Sequence, residues 1–82
     1  MNKARREEIE DARQLVDKAR DILETVANEE REAFDNMPEG LQASDKGDTV
    51  SANADNLDEG VSSLESAIES IDEAISSLDT VE

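Results

Sequence analysis

The chain has 82 residues, a net charge of −15, and no cysteine, histidine, tryptophan or tyrosine. That length allows one domain. The missing cysteine excludes a disulfide framework and a thiolate zinc site, and the missing histidine removes the usual general base at neutral pH. The charge speaks against direct nucleic-acid binding, which needs clustered Lys and Arg, and against an anionic membrane surface. Met1 is followed by charged residues, so no signal peptide is expected, and no apolar run approaches a membrane span. Cytoplasm is the expected compartment.

The first segment, from about residue 3 to 36, carries apolar residues at Ile9, Ala12, Val16, Ala19, Leu23, Val26, Ala33 and Met37. Steps of three and four make a heptad seam, with Glu30 standing where an apolar residue would fall. Leu15 and Ile22 flank it on one side, Ala27 and Phe34 on the other, so the stripe is broader than a strict two-stranded seam. Pairs three residues apart, Glu10 with Arg13 and Asp17 with Arg20, are expected to support the helix.

A hinge is expected over about 37–43. It holds the chain's one proline, Pro38, which lacks an N–H and cannot continue the helical ladder. Met37 before it is driven from the helical region by the proline ring. Gly40 is read as a site for positive φ.

The second helix is expected over about 44–80, with Ser44 as N-cap and Asp45 favouring the positive end of the helix dipole. Its seam runs Gly47, Val50, Ala54, Leu57, Val61, Leu64, Ile68, Ile71, Ile75, Leu78 without a break. Gly60, Ala67 and Ala74 recur beside it every seven residues. This segment has no Lys or Arg after Lys46, whereas the first holds seven of the eight basic residues. An antiparallel pairing therefore sets Arg13 and Arg20 near acids of the second helix, though exposed pairs contribute little.

The fold class that follows is all-α: one domain, 1–82, an antiparallel helical hairpin of two long heptad-patterned helices. Each helix would be roughly 50 Å long, and one shared seam encloses little volume. Chains of this size usually need a staple or association. With no disulfide available, oligomerisation into a helical bundle is expected, a dimer making four helices being favoured.

No constellation points to catalysis, and no cofactor or metal is expected. The carboxylates are abundant but unaccompanied by the histidine that di-metal bundles use. Glu30, on the seam, reads as a register-fixing or solvated residue. Asp45-Lys46-Gly47-Asp48 holds only fragments of a calcium loop and reads as a helix start.

Three candidate binding surfaces remain. The hinge offers Asp35, Asn36, Met37, Pro38, Glu39, Gln42 and Ser44, a richer set than a connector needs; equally, these residues could shape the turn while Phe34, Met37 and Leu41 close the end of the bundle. Asp58, Glu65 and Asp72 form an acidic face that either imitates a phosphate backbone or is simply solvated. Arg13, Arg20, Arg31 and Lys46 are candidate anion-binding residues, should assembly gather them at one pocket.

The stretch Glu29-Glu30-x-x-Ala33-Phe34-Asp35-Asn36-Met37-Pro38-Glu39-x-Leu41-Gln42-x-Ser44-x-x-Gly47 resembles the central motif of small, acidic, uncharacterised helical-hairpin proteins of bacteriophages and bacterial mobile elements. It covers about a quarter of the chain. The resemblance implies a phage or prophage setting, host-cell cytoplasm, and action by binding. The expected function is a non-enzymatic inhibitor or adaptor that occupies a host protein surface through its hinge or acidic face. Alternatives are an oligomeric sponge for a small nucleotide signal, acting in counter-defence, and a structural virion or assembly component.

Overall fold

The computed structural model describes residues 1–78. Two helices of 33 residues each, α1 (Lys3–Asp35) and α3 (Asp45–Ser77), are joined through a four-residue helical turn, α2 (Glu39–Gln42). No strand occurs among the described residues. The expected helix end near residue 80, and the acids Asp79 and Glu82, lie outside them.

Each of the two long helices starts at a side-chain cap. The Asn2 side chain accepts from the Arg5 N–H at 2.9 Å, a cap the sequence reading did not identify. Ser44 accepts from the Gly47 N–H at 3.4 Å while its hydroxyl donates to the Leu41 carbonyl. Asp45 and Asp48 follow in the first turn, where carboxylates favour the helix dipole. The segment that resembles a calcium loop fragment is thus the first turn of α3.

α1 and α3 lie alongside each other, and the molecule extends over 64 × 15 × 12 Å. Their partners run in opposite order. Arg6 reaches the Leu78 carbonyl, Arg13 pairs with Asp72, Arg20 with Glu65 and Arg31 with Asp58. The expected seam of α3 faces α1: Gly47, Ala54, Val61 and Ile68 are buried, and Val50, Leu57, Leu64, Ile71, Ile75 and Leu78 half-buried.

The seam of α1 differs from the expected one. Ala27 is fully buried, while Ala12, Val26 and Ala33 are exposed. Ile9, Arg13, Val16, Arg20, Leu23, Ala27, Glu30 and Phe34 form the line turned to α3, each buried or half-buried. The apolar stripe of α1 is wide enough to hold two heptad lines. Ala27 and Ala54, both small and at most 3% exposed, mark where the helices come close. Choosing that line also carries the arginines to the acids of α3. Arg13 accordingly bonds Asp72 rather than Glu10, and Arg20 bonds Asp21, Glu24 and Glu65 rather than Asp17.

The connection is closed at several points. Pro38 has φ −55° and ψ 147° and stands before α2 as its cap residue; the missing proline N–H costs nothing there because first-turn donors have no helical acceptor. The Gln42 side-chain amide donates to the Phe34 carbonyl at 2.8 Å, a second donor on an oxygen that also accepts the Met37 N–H. Gly40 departs from expectation. It sits inside α2, and no glycine among the described residues has positive φ. The glycine the connection requires is Gly47: a Cβ there would stand 2.1 Å from the Gln42 carbonyl oxygen.

Candidate functional site

The candidate residues fall on three parts of the molecule: one end, one long face, and the opposite long face. At the hinge end, Asp35, Asn36, Pro38 and Glu39 are exposed, and Met37, Gln42 and Ser44 half-buried. The seven do not act alike. Gln42 and Ser44 bond the backbone of the turn itself. Asn36 caps α1 through its backbone N–H, which donates to the Glu32 carbonyl while the Met37 N–H donates to that of Phe34, and its amide side chain is left in solvent. The side chains of Asp35, Asn36 and Glu39 make no hydrogen bond or ion pair among the described residues. Leu41 adds an apolar side chain, 37% exposed.

The backbone adds to the charge at this end. α1 has no basic residue in its last turn, so its negative dipole end lies uncompensated beside Glu32 and Asp35. Glu39, Asp45 and Asp48 are exposed nearby in the chain. Lys46 is the one cation of this stretch, exposed and without an ion pair among the described residues. A cleft of about 190 Å³ opens beside the hinge, lined by Arg31, Phe34, Asp35, Ser51, Ala54 and Asp55.

The acidic-face residues and the arginines prove to be partners of one another. Arg13 Nε donates to Asp72 Oδ1 at 2.7 Å and its Nη2 to Oδ2 at 3.2 Å, a two-point contact. Arg20 lies 3.7 Å from Glu65 and 3.2 Å from Glu24. Arg31 pairs with Asp58. The hydrogen bond to Arg13 holds the Asp72 carboxyl below its ordinary value, and the same contact raises Arg13. Nearby Glu24 raises Arg20, followed by Glu65 and Asp21. These acids are therefore neutralised across the helix pair, and these arginines are already occupied by carboxylates. The sequence led to the expectation that Arg13 and Arg20 lie near acids of the second helix, as they do; it did not identify which acids they meet, nor the pairing of Arg31 with Asp58.

The opposite long face was missed as a surface. Leu15 is 68% exposed, Ile22 54% and Val26 38%. A shallow groove of about 370 Å³ is lined by Val26, Glu30, Asn53, Asn56 and Leu57. In it the Asn53 amide approaches Glu30 Oε2 at 3.5 Å, so the seam-breaking glutamate has a polar neighbour. The signal was in the sequence: Leu15 and Ile22 sit one heptad apart on the flank of an over-wide stripe.

No group of three or more Asp, Glu, His or Cys side chains is placed to hold a metal ion among the described residues. No described helix is long and apolar enough to cross a membrane. No family model, curated protein or solved structure matches the chain.

Proposed function

We propose that the helix pair is an antiparallel hairpin that associates with further copies and works as a non-enzymatic binding protein, engaging a basic surface of a host protein through its hinge end. The observation that carries this reading is the exposed set Asp35, Asn36, Glu39 and Leu41, whose side chains the turn does not use. A folded scaffold holding unpartnered polar groups and one apolar side chain at a loop is a common form of binding site. The surplus of carboxylates there favours a cationic partner. The resemblance of this same stretch to small phage proteins agrees with an inhibitor or adaptor of phage type.

The acidic face gives weaker support, because Asp58, Glu65 and Asp72 already face arginines. A nucleotide sponge would have to displace carboxylates from Arg13, Arg20 and Arg31. Moreover, the cleft beside Arg31, at about 190 Å³, is smaller than the roughly 300 Å³ at which small-molecule sites begin.

The test compares capture of host proteins by the wild type and by Asn36→Ala with Glu39→Ala. Neither residue is buried, so helicity should persist, at a cost of about 1 kcal/mol or less. Capture lost with helicity intact supports the hinge. Capture unchanged removes it as the site. A small molecule released on heating, with binding sensitive to Arg13→Ala, would favour the sponge.

A further inference from the structure

We infer that the unpartnered long face is the interface for a second copy of this chain, packed so that α1 of each lies on α3 of the other and both hinges share one end. The inference rests on the proposed association of copies and names its surface and orientation.

Area comes first. The chain exposes 5802 Å², whereas a folded monomer of 9.0 kDa exposes about 4900 Å² by size scaling. The surplus, roughly 900 Å², is close to the about 800 Å² per partner of a standard interface. The surplus is not evenly spread. One long face is crossed by arginine–carboxylate pairs, while the other carries Leu15, Ile22 and Val26 in the open.

Shape selects the occupant. On α1 the face projects large side chains; on α3 it offers Ala67 and Ala74, with Gly60 a further seven residues back, where Leu23 of the same chain already lies 3.3 Å from the position a Cβ would take. Arg13 is level with Asp72 and Arg20 with Glu65. Leu15 is therefore level with Ser70, midway between Ala67 and Ala74. Ile22 is level with Ser63, midway between Gly60 and Ala67. A two-fold axis along the long dimension lays α1 of one copy over α3 of the other at the same level. It seats Leu15 and Ile22 in the gaps of that small-residue row, as knobs enter holes. The match of period, level and size is found within the chain itself, which is what an isologous contact requires.

Charge selects the orientation. α1 is the less acidic helix, with seven Lys and Arg against eleven Asp and Glu, whereas α3 has one against nine, so laying α1 over α3 avoids stacking the two more acidic helices and brings Lys18, beside Ile22 on this face, over α3. The alternative two-fold, across the long axis, stacks α3 on α3 and brings acids together.

The chain has no cysteine, so Gly40→Cys provides a unique spin-label site, and a side chain there meets nothing within 4 Å. Light scattering should find a dimer. Labels at position 40 should lie within about 30 Å of each other, as adjacent helices of one bundle allow; copies in opposite directions would separate them by a distance approaching the 64 Å length. Ile22→Asp should weaken the dimer by on the order of a hundredfold or more, as loss of a central buried apolar anchor does. A wild-type monomer overturns both the association and this interface. An oligomer that ignores Ile22→Asp, or whose labels lie far apart, overturns the interface alone and leaves association standing. Should Ile22→Asp fail to fold, the label distance in the otherwise unaltered chain still decides.

Discussion

The two long faces of the helix pair use one heptad repeat in different ways. On the first, Arg13 and Arg20, seven apart, meet Asp72 and Glu65, also seven apart, and Arg31 extends the row to Asp58. On the second, the same spacing repeats Leu15 with Ile22 on α1, and Ala67 with Ala74 on α3. Charge pairs match one alignment of the helices, since across the pair Arg13, Arg20 and Arg31 each meet one carboxylate of α3. They add little stability, because the groups remain wet and screened. Apolar residues contribute stability in proportion to area removed from water. The chain thus divides the two uses: one face carries the charge pairs that match the register of the helices, and the other leaves Leu15, Ile22 and Val26 exposed.

The largest expected effect falls on the line the two faces share. Ile68→Ala should destabilise by about 2–4 kcal/mol, as truncation of a buried Ile does; urea unfolding measures it. Leu64, half-buried on the second face, sharpens the contrast. In an uncovered chain Leu64→Ala should cost clearly less than Ile68→Ala, whereas equal costs would show that the second face is covered in solution.

Next is Gly47→Ala, which drives a methyl into the Gln42 backbone and should cost about 1–3 kcal/mol. A melting temperature equal to wild type would mean the turn can reopen without loss, and the register would then rest on the arginine row alone.

The arginine row should respond to salt more than to substitution. Added sodium chloride screens repulsion within a chain of charge −15 and should raise the melting temperature modestly. Arg20→Gln removes part of the opposing attraction, so its melting temperature should start lower and climb more steeply with salt. A wild-type melting temperature that falls with salt would show attraction across the first face outweighing the repulsion.

The smallest effect concerns acid. Asp72 is held below its ordinary value by Arg13, so the folded chain binds fewer protons than the unfolded one in that range. Its contribution is complete above the unfolded value, near 3.8, and disappears as pH falls through the lower folded value. Asp72→Asn should flatten that part of the stability curve, and an unchanged slope would assign acid sensitivity to other carboxylates.

The all-helical character was legible in the sequence because spacing and the Pro38 break are local signals. So was the inward line of α3, where only one row of apolar residues exists. The line of α1 was legible only in part: Ile9, Val16 and Leu23 lie on both the expected and the observed line, but the second row beside them was not legible. Its stripe admits either Val26 or Ala27 as an inward residue, and the outcome depends on Ala54 and on acids far along the chain. For the same reason the exposed face of Leu15 and Ile22 was read as a margin of the core. Pro38 and Ser44 signalled the break between the long helices, but the helical turn α2 inside it was not foreseen, and Gln42 was grouped with its solvent-facing neighbours. Glutamine carries no fixed capping signature, and only the approach of the Phe34 carbonyl reveals its task.

The closed turn also bears on how fast the chain reaches its structure. Contacts that join residues close in sequence form with little loop entropy, and distant ones cost more. The bond from Gln42 to Phe34 spans eight residues, whereas Arg6 to Leu78 spans 72. Folding should therefore begin at the turn and zip toward the termini, with each new heptad closing only a short additional loop. Gln42→Ala should slow folding while leaving the unfolding rate nearly unchanged, and Ile9→Ala should do the reverse. The residues that seal the turn would then set the refolding time after any thermal excursion, whatever the protein binds.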